Sequence, residues 1–274
     1  MQLSTRIELN DGARIPQLGV GTYKLPDAET PAIVSNALRA GYRHVDTAAL
    51  YGNERGVGRG IRDSEVDRAE LFVTSKVWNT EQGFDATLRA FDVSLSALEL
   101  DRVDLYLIHW PAPSRDLYVD TWRALVRLQA EGRATSIGVS NFHRPHLERI
   151  IDETGVVPAV NQIELQPWLQ QRELRALHSA LGIVTEAWSP LARGRAIADP
   201  LLGAIGARHA KSAAQVVIRW HLQQGIVVIP KSASAERVRA NAEVFDFELS
   251  AEEMREIAAL DSGERSGSDP ELVD

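Results

Sequence analysis

Four polar residues stand where apolar runs stop: Asp46 ends RHVD, Lys76 ends ELFVTSK, His109 ends VDLYLIH, and Tyr51 follows the first of these in DTAALYGNE. Groups at the ends of consecutive parallel strands converge on one rim. An acid, a phenol, an amine and an imidazole meeting there can deliver a proton to a carbonyl oxygen. A free tyrosine, with a pKa of about 10, is too weak an acid to be ideal near neutrality. A cation about 4 Å away at an effective dielectric of about 20 contributes roughly 4 kcal/mol, up to about three pK units before desolvation takes some back. Lys76 is therefore expected to bring Tyr51 into working range. Asp46 would keep Lys76 protonated and aimed, and neutral His109 would hydrogen-bond the substrate oxygen. Each residue alone has a plainer explanation: a turn cap, a snorkelling surface lysine, half-buried packing, a core imidazole. Together they favour the chemistry, because a lysine and a histidine ending apolar strands are both buried, and a buried ammonium requires a counter-charge.

The 274 residues, 44% hydrophobic and 25% charged, suffice for a substantial core and are read as one domain over 1–274. The absence of cysteine excludes disulfides, thiolate zinc sites and a cysteine nucleophile, and makes the cytoplasm the default location. MQLSTRIELNDG lacks the basic patch and apolar run of a signal peptide, and no stretch is long and apolar enough to span a bilayer. A net charge of -8 argues against a nucleic-acid surface. No exposed apolar stripe stands out, so a monomer is expected.

After a short hairpin with its turn at Asn10-Asp11-Gly12, strand-length apolar runs alternate with segments of helical period. Strands are predicted around Leu18–Gly21, His44–Asp46, Leu71–Lys76, Val103–His109, Ser136–Val139, Ala159–Glu164, Ile183–Ala187 and Val227–Pro230. Gly41, Gly132, Gly155, Gly182 and Gly225 each fall just past a helical run, and Pro145 and Pro200 just inside helix starts. The strands are rich in Val, Ile and Leu and scarcely alternate, as expected when both faces are covered. Eight such βα units predict an α/β fold, a closed (β/α)8 TIM barrel with the hairpin at its bottom. A doubly wound open sheet is the alternative, and it would want fewer strands and a glycine-rich phosphate loop.

The strand-ending polar set on the rim then includes Asp46, Lys76, His109, Asn141, Gln162, Trp188 and Lys231. Trp78 and Trp110 lie just past Lys76 and His109, and with Tyr23 they are expected to wall an apolar pocket for a small carbonyl compound. Lys24 and Arg193 add positive charge that would suit an acidic substrate. The tail ERSGSDPELVD is flexible in composition and would cover the pocket only partly. His143, His146 and Glu148 have chelating spacing, but the Pro145 helix start and the lack of a third convergent ligand favour surface capping, so no metal is expected. No GxSxG elbow supports hydrolysis.

GYRHVDTAALYGNE, LFVTSKVWN, VDLYLIHWP, IGVSNF, VNQIELQP, WSPL and IPKSASAERVRAN, in this order across nearly the whole chain, resemble the aldo-keto reductase family. LNDGARIPQLGVGTYK, VVPAVNQIEL and RWHLQQG are most similar to its bacterial 2,5-diketo-D-gluconate reductase branch. The resemblance implies a (β/α)8 barrel, a catalytic tetrad at Asp46, Tyr51, Lys76 and His109, and NADPH/NADP+ as hydride carrier in the reversible reduction of aldehydes and ketones. No side chain donates hydride, so a cofactor is required, and GVGRG at Gly56–Gly60 lies inside a helix without the spacing of a dinucleotide loop. The matching positions are Ser140, Asn141 and Gln162 for the nicotinamide carboxamide, Trp188 for its ring, and Ser189, Leu191 and Ile229 along the cofactor. Lys231, Ser232 and Arg237 would hold a 2′-phosphate. Ala240 departs from the glutamate common in this motif, leaving Asn241 alone at the adenine edge, and Gln166 stands where histidine is commoner. A regulatory protein using the same barrel as a cofactor sensor, as the channel-associated relatives of this family do, is the alternative; the retained tetrad argues against it.

Overall fold

The computed structural model describes residues 1–274. Strands β1 (Arg6–Glu8) and β2 (Arg14–Pro16) pair antiparallel. There follow β3 (Val20–Gly21), α1 (Thr30–Arg39), β4 (His44–Asp46), α2 (Glu54–Asp63), β5 (Phe72–Val77), α3 (Phe84–Leu98), β6 (Val103–Ile108), α4 (Tyr118–Ala130) and β7 (Ala134–Ser140). The second half comprises α5 (Arg144–Thr154), β8 (Val160–Glu164), α6 (Arg172–Leu181), β9 (Val184–Trp188), α7 (Arg195–Ala198), α8 (Pro200–Arg208), α9 (Ala213–Gln223), β10 (Val227–Val228), α10 (Ala235–Ala242) and α11 (Ala251–Ala258).

Strands β3 to β10 form an eight-stranded parallel sheet in sequence order. A doubly wound sheet would reverse order at a switch point; this one curls until its edges meet. Isolated parallel bridges join Leu18 to Val228 and Gly21 to Lys231, with Gly19 N donating to Val228 O at 2.9 Å and Val228 N to Gln17 O at 2.9 Å. The last strand is shorter than predicted because Pro230 has no amide hydrogen to continue the ladder. Leu9 and Ile15 of the hairpin pack with Phe72, Leu105, Ala159, Val160 and Val227 near the beginnings of β5, β6, β8 and β10. The hairpin thus lies at the end of the sheet opposite the one where the predicted site residues gather. No helix is long and apolar enough to cross a membrane.

Helix ends follow the local chemistry. Ser212 and Ser250 each accept from a backbone N–H at the third helical position while Gln215 and Glu253 reach back to the cap. The glycines of GVGRG serve helix packing rather than phosphate binding. A Cβ on Gly56 would lie 2.5 Å from the Asp27 carbonyl oxygen, one on Gly60 would lie 2.7 Å from Val34 Cβ, and one on Gly58 would collide with the Leu98 carbonyl. Helix α2 is therefore pressed on one side against α1 and the loop before it, and on the other against the end of α3. Gly58→Ala is expected to destabilise the protein by about 1–3 kcal/mol through overpacking; an unchanged urea midpoint would contradict this close approach.

Candidate active site

Asp46 ends β4, and a single 3-10 turn over Ala49–Tyr51 carries the phenol back over the strand ends before Gly52, at φ +64°, turns the chain into α2. Lys76 lies within β5 with no solvent exposure. Its ammonium donates to Asp46 Oδ1 at 2.7 Å, Asp46 Oδ2 at 2.8 Å and the Thr47 carbonyl at 2.9 Å, which uses all three hydrogens. Burial opposes the charge, but Asp46, Tyr51 and Glu186 outweigh it and hold the Lys76 pKa above its ordinary value. Lys76 Nζ is 5.2 Å from the Tyr51 ring centroid. The Tyr51 phenol is pushed up to about 12, because burial exceeds the lowering by Lys76 and Asp46 adds to it. The expected acidification into the neutral range is thus overturned: removal from water dominates, and Lys76 only moderates it. His109, just past β6, is held well below its ordinary value by burial and then by Lys76, so the imidazole is neutral. Its Nδ1 is buried without a hydrogen-bond partner.

The rings form a continuous wall. Tyr23 lies 5.0 Å from Tyr51 between centroids, Tyr51 5.7 Å from His109, Trp78 5.2 Å from His109, Trp110 6.5 Å from His109, and Trp188 6.2 Å from Trp110. The three expected pocket residues, Tyr23, Trp78 and Trp110, therefore all stand beside the tetrad. Lys24 and Arg193 are exposed and have left-handed backbones at φ +60° and +53°.

Beside the tetrad the side chains of β7, β8 and β9 interlock. Asn141, left-handed at φ +65°, donates to the His109 carbonyl and to Ser140 Oγ, both at 3.0 Å. Its Oδ1 accepts from Trp188 Nε1 at 2.8 Å, and Ser140 Oγ donates to the Gln162 carbonyl at 2.8 Å. Asn141 thus orders the stacking face of Trp188 and the main chain of His109 together. After Trp188, left-handed residues at Ser189, Ala192, Arg193 and Gly194 bend a loop that includes the half-buried Leu191. Beyond β10, Ile229 is buried, Lys231 is exposed, and Ser232 Oγ accepts from Arg237 Nε at 3.1 Å. Ser234 caps α10, on which Asn241 is buried. An exposed ammonium, a guanidinium, a serine hydroxyl and a helix N-terminus form a donor set that fits a phosphate ester. The flat Trp188 face and the Ser140, Asn141 and Gln162 amides and hydroxyl fit a nicotinamide.

Two features escaped the sequence reading. Glu186, inside β9, is fully buried beside the tetrad, where burial and then Asp46 push its carboxyl up to about 8. Gln162 Nε2 donates to both Asp46 Oδ2 at 2.8 Å and Glu186 Oε2 at 3.0 Å. The only signal was an acid in the apolar run IVTEAW. Glu54, at the start of α2, accepts from Ser75 Oγ behind Lys76 at 2.5 Å; a helical acid carries no sign of such burial.

The tail is docked rather than flexible. The buried Glu164 carboxylate accepts from Ser266 N and Oγ at 2.6 Å each and from Gly267 N at 3.0 Å. A Cβ on Gly267 would strike the Trp188 ring, so the tail buttresses the indole edge. His143, whose backbone N–H donates to His146 Nδ1 at 3.2 Å, meets Glu271 Oε1 at 2.6 Å. This histidine pair caps α5 and holds the tail.

The sequence profile of the Aldo/keto reductase family matches residues 17–262. An aldo-keto reductase of Mycobacterium sp. (strain KMS) is 54% identical over 264 residues, covering 96% of each chain. The methylglyoxal reductase DkgA of Yersinia pestis is 51% identical over 274 residues, covering 99% of this chain and 98% of that one. Among solved structures, a point mutant of Gox0644 in complex with NADPH superposes with a TM-score of 0.95 at 50% identity, covering 99% of both chains. With the sheet, the buried lysine–aspartate pair and these likenesses in agreement, the chain belongs to the aldo/keto reductase family and is an oxidoreductase.

Proposed function

We propose that this protein, acting as a cytoplasmic monomer of one domain, reversibly reduces aldehydes and ketones to alcohols. NADPH supplies the hydride when bound, and Tyr51 supplies the proton. The observation that carries the reading is the Lys76–Asp46 ion pair sealed beneath Tyr51 and beside neutral His109. A neutral imidazole can donate one hydrogen bond to a carbonyl oxygen and orient it beside the phenol. Charge that develops on that oxygen meets the field of the Lys76 ammonium, which is buried and therefore little screened. The phenol keeps its proton until then, since an alkoxide is a stronger base even than a tyrosinate held up at about 12. Proton transfer leaves a phenolate whose charge Lys76 offsets, while Asp46 keeps Lys76 charged.

For the cofactor, Trp188 offers the ring platform and Ser140, Asn141 and Gln162 the carboxamide partners. Ser189, Leu191 and Ile229 line its length, Lys231, Ser232 and Arg237 take the 2′-phosphate, and Asn241 the adenine edge. The aromatic wall of Tyr23, Trp78 and Trp110 supports small carbonyl substrates. The likeness to a methylglyoxal reductase supports dicarbonyls first, and exposed Lys24 and Arg193 support keto-sugar acids such as diketo-gluconate.

Tyr51→Phe is expected to lower kcat with methylglyoxal by about 100-fold or more, in line with loss of a general acid. The NADPH dissociation constant, read by quenching of tryptophan fluorescence, should stay within about twofold. Substantial residual turnover would reject Tyr51 as the donor. Arg237→Ala should weaken NADPH by about tenfold or more, as loss of a charge-assisted hydrogen bond implies, and should leave NADH nearly unaffected. Equal losses for both would remove Arg237 from the 2′-phosphate site.

A further inference from the structure

A second carboxyl lies inside the sheet with no counter-ion of its own. Glu186 points from β9 toward β8 and β4, two residues before Trp188, with no solvent exposure. Its Oε2 accepts from Gln162 Nε2 at 3.0 Å, while Oε1 has no hydrogen-bond partner and lies 3.7 Å from His44 Nε2. The same Gln162 nitrogen donates to Asp46 Oδ2 at 2.8 Å. An amide nitrogen has two hydrogens, and here each goes to a different carboxyl. A flipped amide would set its oxygen against the Asp46 carboxylate, so Asp46 fixes the orientation and Glu186 takes the second hydrogen. The Gln162 carbonyl oxygen then remains as the acceptor of that side chain, and it takes no donor from the chain.

We propose that Glu186 is a positioning residue of this site: acting with Asp46, it orders the Gln162 amide so that its carbonyl oxygen is presented to the carboxamide N–H of a bound nicotinamide. The proposal rests on the reading of the site as a nicotinamide-dependent carbonyl reductase and adds a residue that touches neither substrate nor cofactor.

The groups facing Glu186 also give the arrangement a pH dependence. They are Asp46 and His44 from β4, Lys76 from β5 and Gln162 from β8. His44 is pushed down to about 3 by burial and then by Lys76, so it brings no positive charge. Burial and Asp46 raise Glu186 to about 8, against the lowering by Gln162 and Lys76. At neutral pH the carboxyl is protonated; as pH rises through about 8 it becomes a second anion beside Lys76. That anion offsets the field Lys76 exerts on Tyr51 and makes the phenol a poorer acid, so carbonyl reduction falls across this range.

The test compares the full-length wild type with Glu186→Ala and Glu186→Gln. NADPH dissociation constants are read by tryptophan quenching, and kcat/KM with methylglyoxal is read against pH. Glu186→Ala releases one amide hydrogen and is expected to weaken NADPH about tenfold, the effect of one lost ordering hydrogen bond; Glu186→Gln still offers an acceptor and should restore binding to within about twofold. Wild-type kcat/KM should fall about threefold or more between about pH 7 and about pH 9, and the fall should be absent in Glu186→Gln. Wild-type affinity in Glu186→Ala, or an identical alkaline fall in Glu186→Gln, would overturn the proposal. If Glu186→Ala does not fold, the pH profile of Glu186→Gln decides. A wild type that binds NADPH without turning over methylglyoxal or other aldehydes would defeat the reductase reading instead, and the binding comparison would still judge Glu186.

Discussion

Lys76 is an ammonium with no solvent exposure, and the rest of the site depends on how that charge is kept. Removing an ion from water costs several kcal/mol even in a relaxed protein, and the cost is offset only when every hydrogen finds an acceptor. Both oxygens of Asp46 and the Thr47 carbonyl meet that demand, each within 2.9 Å. Because the three acceptors belong to β4 and the residue after it, the register between β4 and β5 is tied to the position of the charge. Tyr51, four residues beyond Thr47, is carried to the same place by one 3-10 turn. The pair thus holds the strand ends together and sets the field of an ammonium beside the Tyr51 ring.

Around this pair the polar groups are arranged so that little freedom remains. Asp46 shares Gln162 with Glu186, Ser140 fastens to the Gln162 main chain, and Asn141 ties His109 to Trp188. Three neighbouring strands, β7, β8 and β9, thereby position one indole face. The tail adds a fourth restraint from far along the chain, since Glu164 holds Ser266 and Gly267 and the latter rests against the Trp188 ring. Side chains ordered by one another before a ligand arrives lose less entropy on binding. The half-exposed aromatic wall outside them is less constrained, a division suited to one fixed cofactor and varied small carbonyls.

Legibility differed between levels for identifiable reasons. The strands around Asp46, Lys76 and His109 could be read because a polar residue closing an apolar run is conspicuous, and helix ends because glycine, proline and serine mark them locally. Of the residues inferred from motifs, Asp46, Tyr51, Lys76, His109, Ser140, Asn141, Gln162 and Trp188 are joined by direct contacts, and Ser232 and Arg237 meet at the α10 start. Glu186 was not legible, because a single acid in a strand is normally solvent-facing and only the curl of the sheet turns it inward. GVGRG could be read as helix, and the structure has it in α2, yet the close contacts of its glycines with Asp27, Val34 and Leu98 required the neighbouring helices. The tail was misread because serine, glycine and acids signal mobility until a buried carboxylate such as Glu164 is found to bind their amides.

By itself the sequence determined the alternation of strands and helices, the polar residues that close apolar runs and the family motifs, since periodicity and side-chain chemistry are local properties of the chain. Only the tertiary structure decided the balance of energies within the site. Burial raises Tyr51 to about 12 in spite of Lys76, and raises Glu186 to about 8 beside Asp46, because desolvation depends on every atom packed around a group and not on its neighbours in the chain.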